Sequence, residues 1–108
     1  MILIVELVTI LFSGIPVRDY EQAAEWYERL LGRPPDMLPK EGEAVWKLAE
    51  SAWIYVVRDP GRAGNALLTL MVDELPPVGT EIVEMGGMPT VSVLDPEGNK
   101  ITFGQPNS

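Results

Sequence analysis

Only one segment of this chain repeats its apolar residues at helical spacing, and that segment limits the folds available to the chain. The apolar positions follow the order i, i+3, i+4, i+7 and i+8, which is typical of one face of an α-helix. They are Ala23, Trp26, Tyr27, Leu30 and Leu31. Asp19 suits the N-cap with Gln22 three residues later, and Gly32 suits the position after the last turn. The sequence therefore predicts one helix over about residues 20–31.

Short apolar runs separated by glycine and proline make up the rest of the chain. The predicted extended segments are Ile2–Val17, Glu43–Leu48, Trp53–Val57, Ala66–Val72, Glu81–Met85, Pro89–Leu94 and Lys100–Gly104. Pro34–Gly42 is predicted to be a loop, and Asp95–Asn99 a tight hairpin turn. Pro16 places the end of the first run at a sheet edge or a bulge. One helix with about seven strands predicts an α+β fold with a largely antiparallel sheet.

Length and charge narrow the function classes. The 108 residues suffice for a single domain. Sixteen acidic residues against eight basic ones give a net charge of −8. This charge argues against binding to nucleic acid or to an anionic membrane surface. If the protein has a charged partner, we expect that partner to be a cation. The chain contains no histidine and no cysteine, so it lacks the commonest metal ligand, the commonest general base and any thiolate.

The apolar N-terminal run, residues 1–12, is not predicted to be a targeting or membrane segment. It has no basic region at its start, and Glu6 interrupts it. It is also shorter than the roughly 20 residues that a membrane-spanning helix needs. We therefore expect a cytoplasmic globular protein.

Three motifs occur in a particular order along the chain. They are Val17-Arg-Asp19 with a helix ending in Trp26-Tyr-Glu-Arg-Leu-Leu-Gly32, then Val72-Asp73, then Asp95-Pro-Glu-Gly-Asn99 followed by Ile101-Thr-Phe103. Together they resemble the vicinal oxygen chelate superfamily of glyoxalases, bleomycin resistance proteins and extradiol dioxygenases, over most of the chain from about residue 12 to residue 105. The resemblance implies two paired βαβββ-like modules, about residues 7–58 and 65–105, whose strands form a cup around a metal or a ligand.

Two departures from the family pattern shape the functional prediction. The helix that the family places after Val72-Asp73 is replaced here by Leu75–Gly79, so we expect a second copy of the chain to cover the exposed sheet face in a homodimer. The metal-ligand positions that the resemblance implies hold Phe12, Ala66 and Thr102, and the fourth falls within residues 53–57. These side chains do not bind divalent cations. We therefore expect no metal, no cofactor and no catalytic residue.

The resemblance also implies which residues line the cup. They are Phe12, Trp46, Trp53, Tyr55, Ala66, Leu68 and Thr102. Aromatic rings there could stack on a planar or cationic ligand, or they could simply pack in the core or an interface. The main hypothesis is a metal-free protein that binds a small organic ligand, with a cationic or aromatic compound favoured. The alternatives are a structural or assembly domain with a filled cup and, more distantly, a metal-dependent enzyme of glyoxalase or dioxygenase type.

Overall fold

In the computed structural model, residues 1, 3–79 and 81–106 are described, and these ranges contain one α-helix and eight β-strands. The helix is α1 (Tyr20–Leu31), and the strands are β1 (Leu11–Val17), β2 (Met37–Lys40), β3 (Glu43–Ala49), β4 (Ala52–Arg58), β5 (Leu67–Met71), β6 (Val83–Met85), β7 (Met88–Leu94) and β8 (Lys100–Gly104). Residues 2, 80, 107 and 108, which include the first residue of the predicted N-terminal strand, lie outside this description.

The strands form two sheets of four with the same topology. Sheet 1 has the order β1-β4-β3-β2, and sheet 2 has the order β5-β8-β7-β6. In each sheet the first strand pairs in parallel with the fourth, and the other pairs are antiparallel. The predicted α+β fold with paired modules is therefore confirmed, with the strands divided between two mixed, mostly antiparallel sheets.

Helix α1 begins and ends where the sequence predicts. The Asp19 carboxylate accepts a hydrogen bond from the backbone N–H of Gln22 at 3.1 Å, which satisfies one free donor of the first turn. Gly32 ends the helix in the left-handed conformation, with φ of 83°, which costs glycine little. Glu25 and Arg29, one turn apart on the helix, form an ion pair at 2.9 Å.

The N-terminal segment differs from the prediction of a strand running from residue 2 to residue 17. Residues 4–6 form a short 3-10 helix, and β1 starts only at Leu11. Leu11 lies opposite Ala52, the first residue of β4, so the described residues 3–10 have no neighbouring strand to pair with. The described residues before β1 are exposed. Within the described ranges, no helix is long and apolar enough to cross a bilayer.

The predicted loop at residues 34–42 contains strand β2. This strand lies at the edge of sheet 1, beside β3. Because an edge strand has one unpaired side, it tolerates Pro39, which has no N–H to donate. Pro16 is similarly placed in β1, the opposite edge of the sheet, as the sequence predicts.

A single hydrophobic core joins α1 to both sheets. Its buried members are Ile15, Val17, Ala23, Tyr27, Ala44, Trp46, Ile54, Val56, Ile101 and Phe103. Side chains alternate between the two faces of a strand, so each sheet has an inner face on this core and an outer face on the opposite side.

The turn Asp95–Asn99 connects the two halves of the fold through buried polar contacts. The hydroxyl of Tyr27, on α1, donates to the Asp95 carboxylate at 2.9 Å. Burial raises the pKa of this hydroxyl, and the Asp95 carboxylate raises it further. The Asn99 amide donates to the backbone carbonyl of Pro16 at 3.1 Å and to Asp95 at 2.8 Å. These contacts hold the end of sheet 2 against β1 and α1.

Glu97, in the same turn, contacts the residues that lead into α1. Its two carboxylate oxygens accept hydrogen bonds from the backbone N–H groups of Arg18, at 2.6 Å, and Asp19, at 2.7 Å. A negative charge beside a helix N-terminus is favourable. The turn therefore stabilises both the helix start and the junction between the sheets.

Candidate functional site

The outer face of sheet 1 carries a partly exposed aromatic pair. Phe12 on β1 and Trp53 on β4 are register partners. Their rings stack with centroids 5.5 Å apart and planes inclined by 24°. Phe12 remains 47% exposed, so the pair offers an aromatic surface to solvent or to a bound molecule.

Tyr55 joins this surface by packing against the backbone of β1 at Gly14, its register partner. A Cβ atom on Gly14 would lie 2.6 Å from both Cζ and the hydroxyl oxygen of Tyr55. Any residue larger than glycine would therefore displace the tyrosine ring. The absence of a side chain at position 14 thus sets the position of Tyr55 beside the aromatic pair.

Trp53 is flanked by a cation and carries an unused hydrogen-bond donor. The Lys47 ammonium lies 5.8 Å from the centroid of the Trp53 ring, within cation–π range, and pairs with Glu50 at 3.5 Å. The Trp53 indole N–H is buried and has no partner among the described residues. Buried donors are usually paired, so this N–H can still donate a hydrogen bond to a further partner.

A cavity of about 210 Å³ opens on the outer face of sheet 2. It is lined by Leu67, Leu68, Thr69, Met85, Met88, Thr90, Lys100 and Thr102. Leucine and methionine side chains supply apolar walls, and the threonines add hydroxyl groups. The combination of a mostly apolar hollow with a few polar groups is typical of small-molecule sites.

The hydroxyl groups of this cavity differ in their partners. The Thr90 hydroxyl donates to the Val83 carbonyl at 2.9 Å, and the hydroxyls of Ser92 and Thr102 share a hydrogen bond at 2.8 Å. Thr69, by contrast, makes no side-chain hydrogen bond within the described part of the chain. The Thr69 hydroxyl is therefore free to bind a ligand.

Three predicted lining residues do not lie on an outer face. Trp46 is fully buried on the inner face of sheet 1, and its indole N–H donates to the Arg33 carbonyl at 3.0 Å. Its register partner is Ile54, whereas the partner of Trp53 is Lys47. Because Trp53 and Ile54 are adjacent on β4, Trp46 and Trp53 lie on opposite faces of the sheet.

Ala66 and Leu68 pack against the core as well. Leu68 is the register partner of Ile101, a core residue, so its side chain lies on the inner face although it forms part of the cavity wall. Thr102, one residue further along β8, lies on the outer face. The predicted set is thus divided among the core and two outer faces, and does not form a single cup within one chain.

The positions implied as metal ligands do not fit a divalent cation. They present the stacked Phe12 ring, the Ala66 methyl group and a Thr102 hydroxyl already bonded to Ser92. None of these is an anionic or imidazole ligand. Among residues 1, 3–79 and 81–106, no cluster of three or more potential ligand side chains could hold a metal ion.

The architecture, two four-stranded units of identical topology sharing a core, is that of the vicinal oxygen chelate superfamily. No protein-family model matches this chain, and no curated protein sequence matches it. Among solved structures, a glyoxalase/bleomycin resistance protein from Catenulispora acidiphila DSM 44928 is similar, with 36% identity and a TM-score of 0.83, covering 91% of this chain and 98% of that one. This chain therefore belongs to the glyoxalase/bleomycin resistance protein family.

More distant structures share the fold. A lactoylglutathione lyase from Agrobacterium tumefaciens has 14% identity and a TM-score of 0.69, covering 89% of this chain and 92% of that one. A bleomycin-binding protein in complex with bleomycin has 18% identity and a TM-score of 0.66, covering 90% of this chain and 98% of that one. At these identities the likeness concerns the fold alone.

Sequence reasoning missed two residues of the aromatic surface and six of the cavity lining: Gly14 and Lys47, and Leu67, Thr69, Met85, Met88, Thr90 and Lys100. Lys100 could have been found, because it is two residues from Thr102 on the same strand and therefore on the same face. Met85 and Met88 flank a two-glycine turn and are register partners, so their shared face could have been inferred from a hairpin. The roles of Gly14 and Lys47 depend on strand register, which their local sequence does not specify.

Proposed function

We propose that this protein binds small organic molecules without a metal ion, using the outer faces of its sheets. The observation that carries the proposal is the cavity on sheet 2, where apolar walls from Leu67, Met85 and Met88 surround a few hydroxyl groups. Such a hollow favours an apolar or aromatic compound with a small polar group. The bleomycin complex of a protein with the same fold supports a binding function of this kind.

The residues at the implied metal positions support a metal-free site. Phe12, Ala66 and Thr102 lack the charge and basicity that a divalent cation requires. We therefore propose no catalytic residue and no metal chemistry for this chain.

We further propose that the protein acts as a homodimer. The outer face of sheet 2, the start of β1 and the N-terminal segment expose large apolar side chains. Those exposed by 60% or more include Ile4, Val5, Leu7, Leu11, Leu67, Met71 and Leu94. A second copy of the chain would remove this surface from water, and could bring the aromatic surface of one copy to the cavity of the other.

Light scattering at micromolar concentration should give twice the chain mass of 11.9 kDa, and a monomer would contradict this part of the proposal.

The binding function can be tested by calorimetric titration with 2-naphthylmethanol, a neutral aromatic probe. We expect a dissociation constant on the order of 0.1–1 mM, given the affinity that so few atoms can supply. Leu67→Ala removes part of the cavity wall and should weaken binding about fivefold, through the loss of roughly 1 kcal/mol of apolar burial.

Leu38→Ala is the matched control, because Leu38 is also an exposed strand leucine (67%, against 81% for Leu67) but lies on β2, in the other sheet. It should leave the affinity unchanged. Absence of heat with neutral, anionic and cationic naphthyl probes would overturn the binding function and favour a structural domain. Stoichiometric metal in elemental analysis of the purified protein would favour an enzyme instead.

A further inference from the structure

The distribution of ion pairs leaves one cation free, and it lies at the cavity. Within the described ranges, seven of the eight lysine and arginine side chains form an ion pair with a carboxylate. The eighth is Lys100, which has no such partner there although acidic residues outnumber basic ones two to one. Its lack of a partner is therefore not due to a shortage of carboxylates.

Lys100 is held at a defined place on the cavity wall. It is the first residue of β8 and directly follows the turn 95–99 that is hydrogen-bonded to β1 and α1. Its backbone N–H donates to the Ala66 carbonyl at 2.9 Å. The base of the side chain is therefore fixed, while the ammonium group keeps its three donors for another partner.

The cavity has no negative charge of its own to attract a cation. None of its lining residues is acidic, and the free hydroxyl of Thr69 adds a neutral donor to the same cavity. Glu81 lines an adjoining hollow that shares Thr90 and Lys100, but it is not within ion-pair distance of the lysine. An amine in the cavity would be repelled by Lys100, whereas a carboxylate or sulfonate would form a charge-assisted hydrogen bond.

We propose that the cavity selects organic anions, with an apolar body against Leu67, Met85 and Met88 and a carboxylate or sulfonate group on Lys100. This inference rests on the proposed binding function and specifies the charge of its ligand. It departs from the cationic ligand that the overall charge of −8 favours, because a ligand in the cavity interacts mainly with the charge that lines it rather than with the distant surface.

The test compares three probes that share one aromatic body: 2-naphthoate, 2-naphthylmethanol and 2-naphthylmethylammonium, titrated calorimetrically at pH 7. We expect 2-naphthoate to bind about tenfold more tightly than the alcohol, and the ammonium compound to bind most weakly. Lys100→Gln should remove the preference, so that 2-naphthoate binds this variant no more tightly than the alcohol does. Lys100→Glu should reverse the order of the two charged probes.

Lys40→Gln is the matched control, because Lys40 is an exposed strand lysine of sheet 1 that already pairs with Glu43 at 3.8 Å. It should preserve the whole order of affinities. If the alcohol or the ammonium compound binds as tightly as 2-naphthoate, or if Lys100→Gln keeps the preference, the inference is overturned and the binding function stands. If none of the three probes binds, the binding function itself fails.

Discussion

Replacing Tyr27 by phenylalanine would remove one O–H donor from a carboxylate buried between the two halves of the fold. The Asp95 side chain is part of a residue only 4% exposed, and it accepts four hydrogen bonds. They come from the Tyr27 hydroxyl at 2.9 Å, the Asn99 amide at 2.8 Å, and the backbone N–H groups of Glu97 and Asn99 at 2.8 and 3.0 Å. Tyr27→Phe keeps the ring and removes only the first of these.

The expected loss of stability in Tyr27→Phe follows from the burial and the hydrogen bonds of Asp95. A hydrogen bond to a charged group contributes about 1.5–3 kcal/mol to stability. Three hydrogen bonds to the Asp95 carboxylate remain in the variant, and the ring at position 27 still fills its place in the core. We therefore expect the free energy of unfolding to fall by about 2 kcal/mol. For a domain of this size that lowers the melting temperature by about 8–12 °C.

Thermal unfolding followed by circular dichroism measures the effect. Tyr20→Phe is the matched control, because Tyr20 lies at the start of the same helix and its hydroxyl has no hydrogen-bond partner in the described part of the chain. This control should melt within about 2 °C of the wild type. If Tyr27→Phe also melts that close to the wild type, the turn 95–99 does not stabilise the junction in the way we describe.

Three further predictions concern the Tyr27 hydroxyl, the Gly14–Tyr55 contact and the Glu97 carboxylate. Because the pKa of Tyr27 is raised in the folded protein, the native state keeps a proton that the unfolded state loses above about pH 10. The stabilisation by the Tyr27 hydroxyl is therefore complete below that pH and is lost as the pH rises above it. Urea titrations at pH 9 to 11 should show the free energy of unfolding of the wild type falling more steeply than that of Tyr27→Phe, with a limiting difference of about 1.4 kcal/mol per pH unit. Gly14→Ala should cost about 1–2 kcal/mol because its Cβ collides with Tyr55, and this cost should disappear in a Tyr55→Ala background; equal costs in both backgrounds would contradict the contact. Glu97→Gln should cost about 1 kcal/mol in urea unfolding by weakening the charge beside the start of α1, while Glu84→Gln, on the exposed strand β6, should cost nothing measurable.

The local sequence determined the secondary structure that depends only on interactions between residues close together in the chain. The capped helix α1 and the turn 95–99 required only a favourable spacing of apolar residues, an N-cap aspartate and glycines at positive φ. The fold class followed because one helix and many short strands allow few arrangements. The family resemblance, carried by the order of three motifs, was confirmed by a structure with 36% identity.

Two strands were predicted wrongly because their limits depend on the segments with which they pair. Residues 3–10, as described in the structure, have a strand-like composition but no strand beside them, since β4 begins opposite Leu11. Residues 37–40 contain a proline and were predicted to be a loop, yet β3 provides a neighbour with which they pair as an edge strand. A strand depends on hydrogen bonds to another segment, so composition alone does not fix its limits.

The candidate site shows the same division. From its own residues the sequence established that the chain has no histidine or cysteine and that phenylalanine, alanine and threonine occupy the implied ligand positions. Only the tertiary structure decided that Trp46 lies in the core while Trp53 lies outside, because a one-residue shift in register moves a side chain to the opposite face. It likewise decided that Lys100 has no carboxylate partner in the described ranges, because ion pairing depends on distances between segments far apart in the chain.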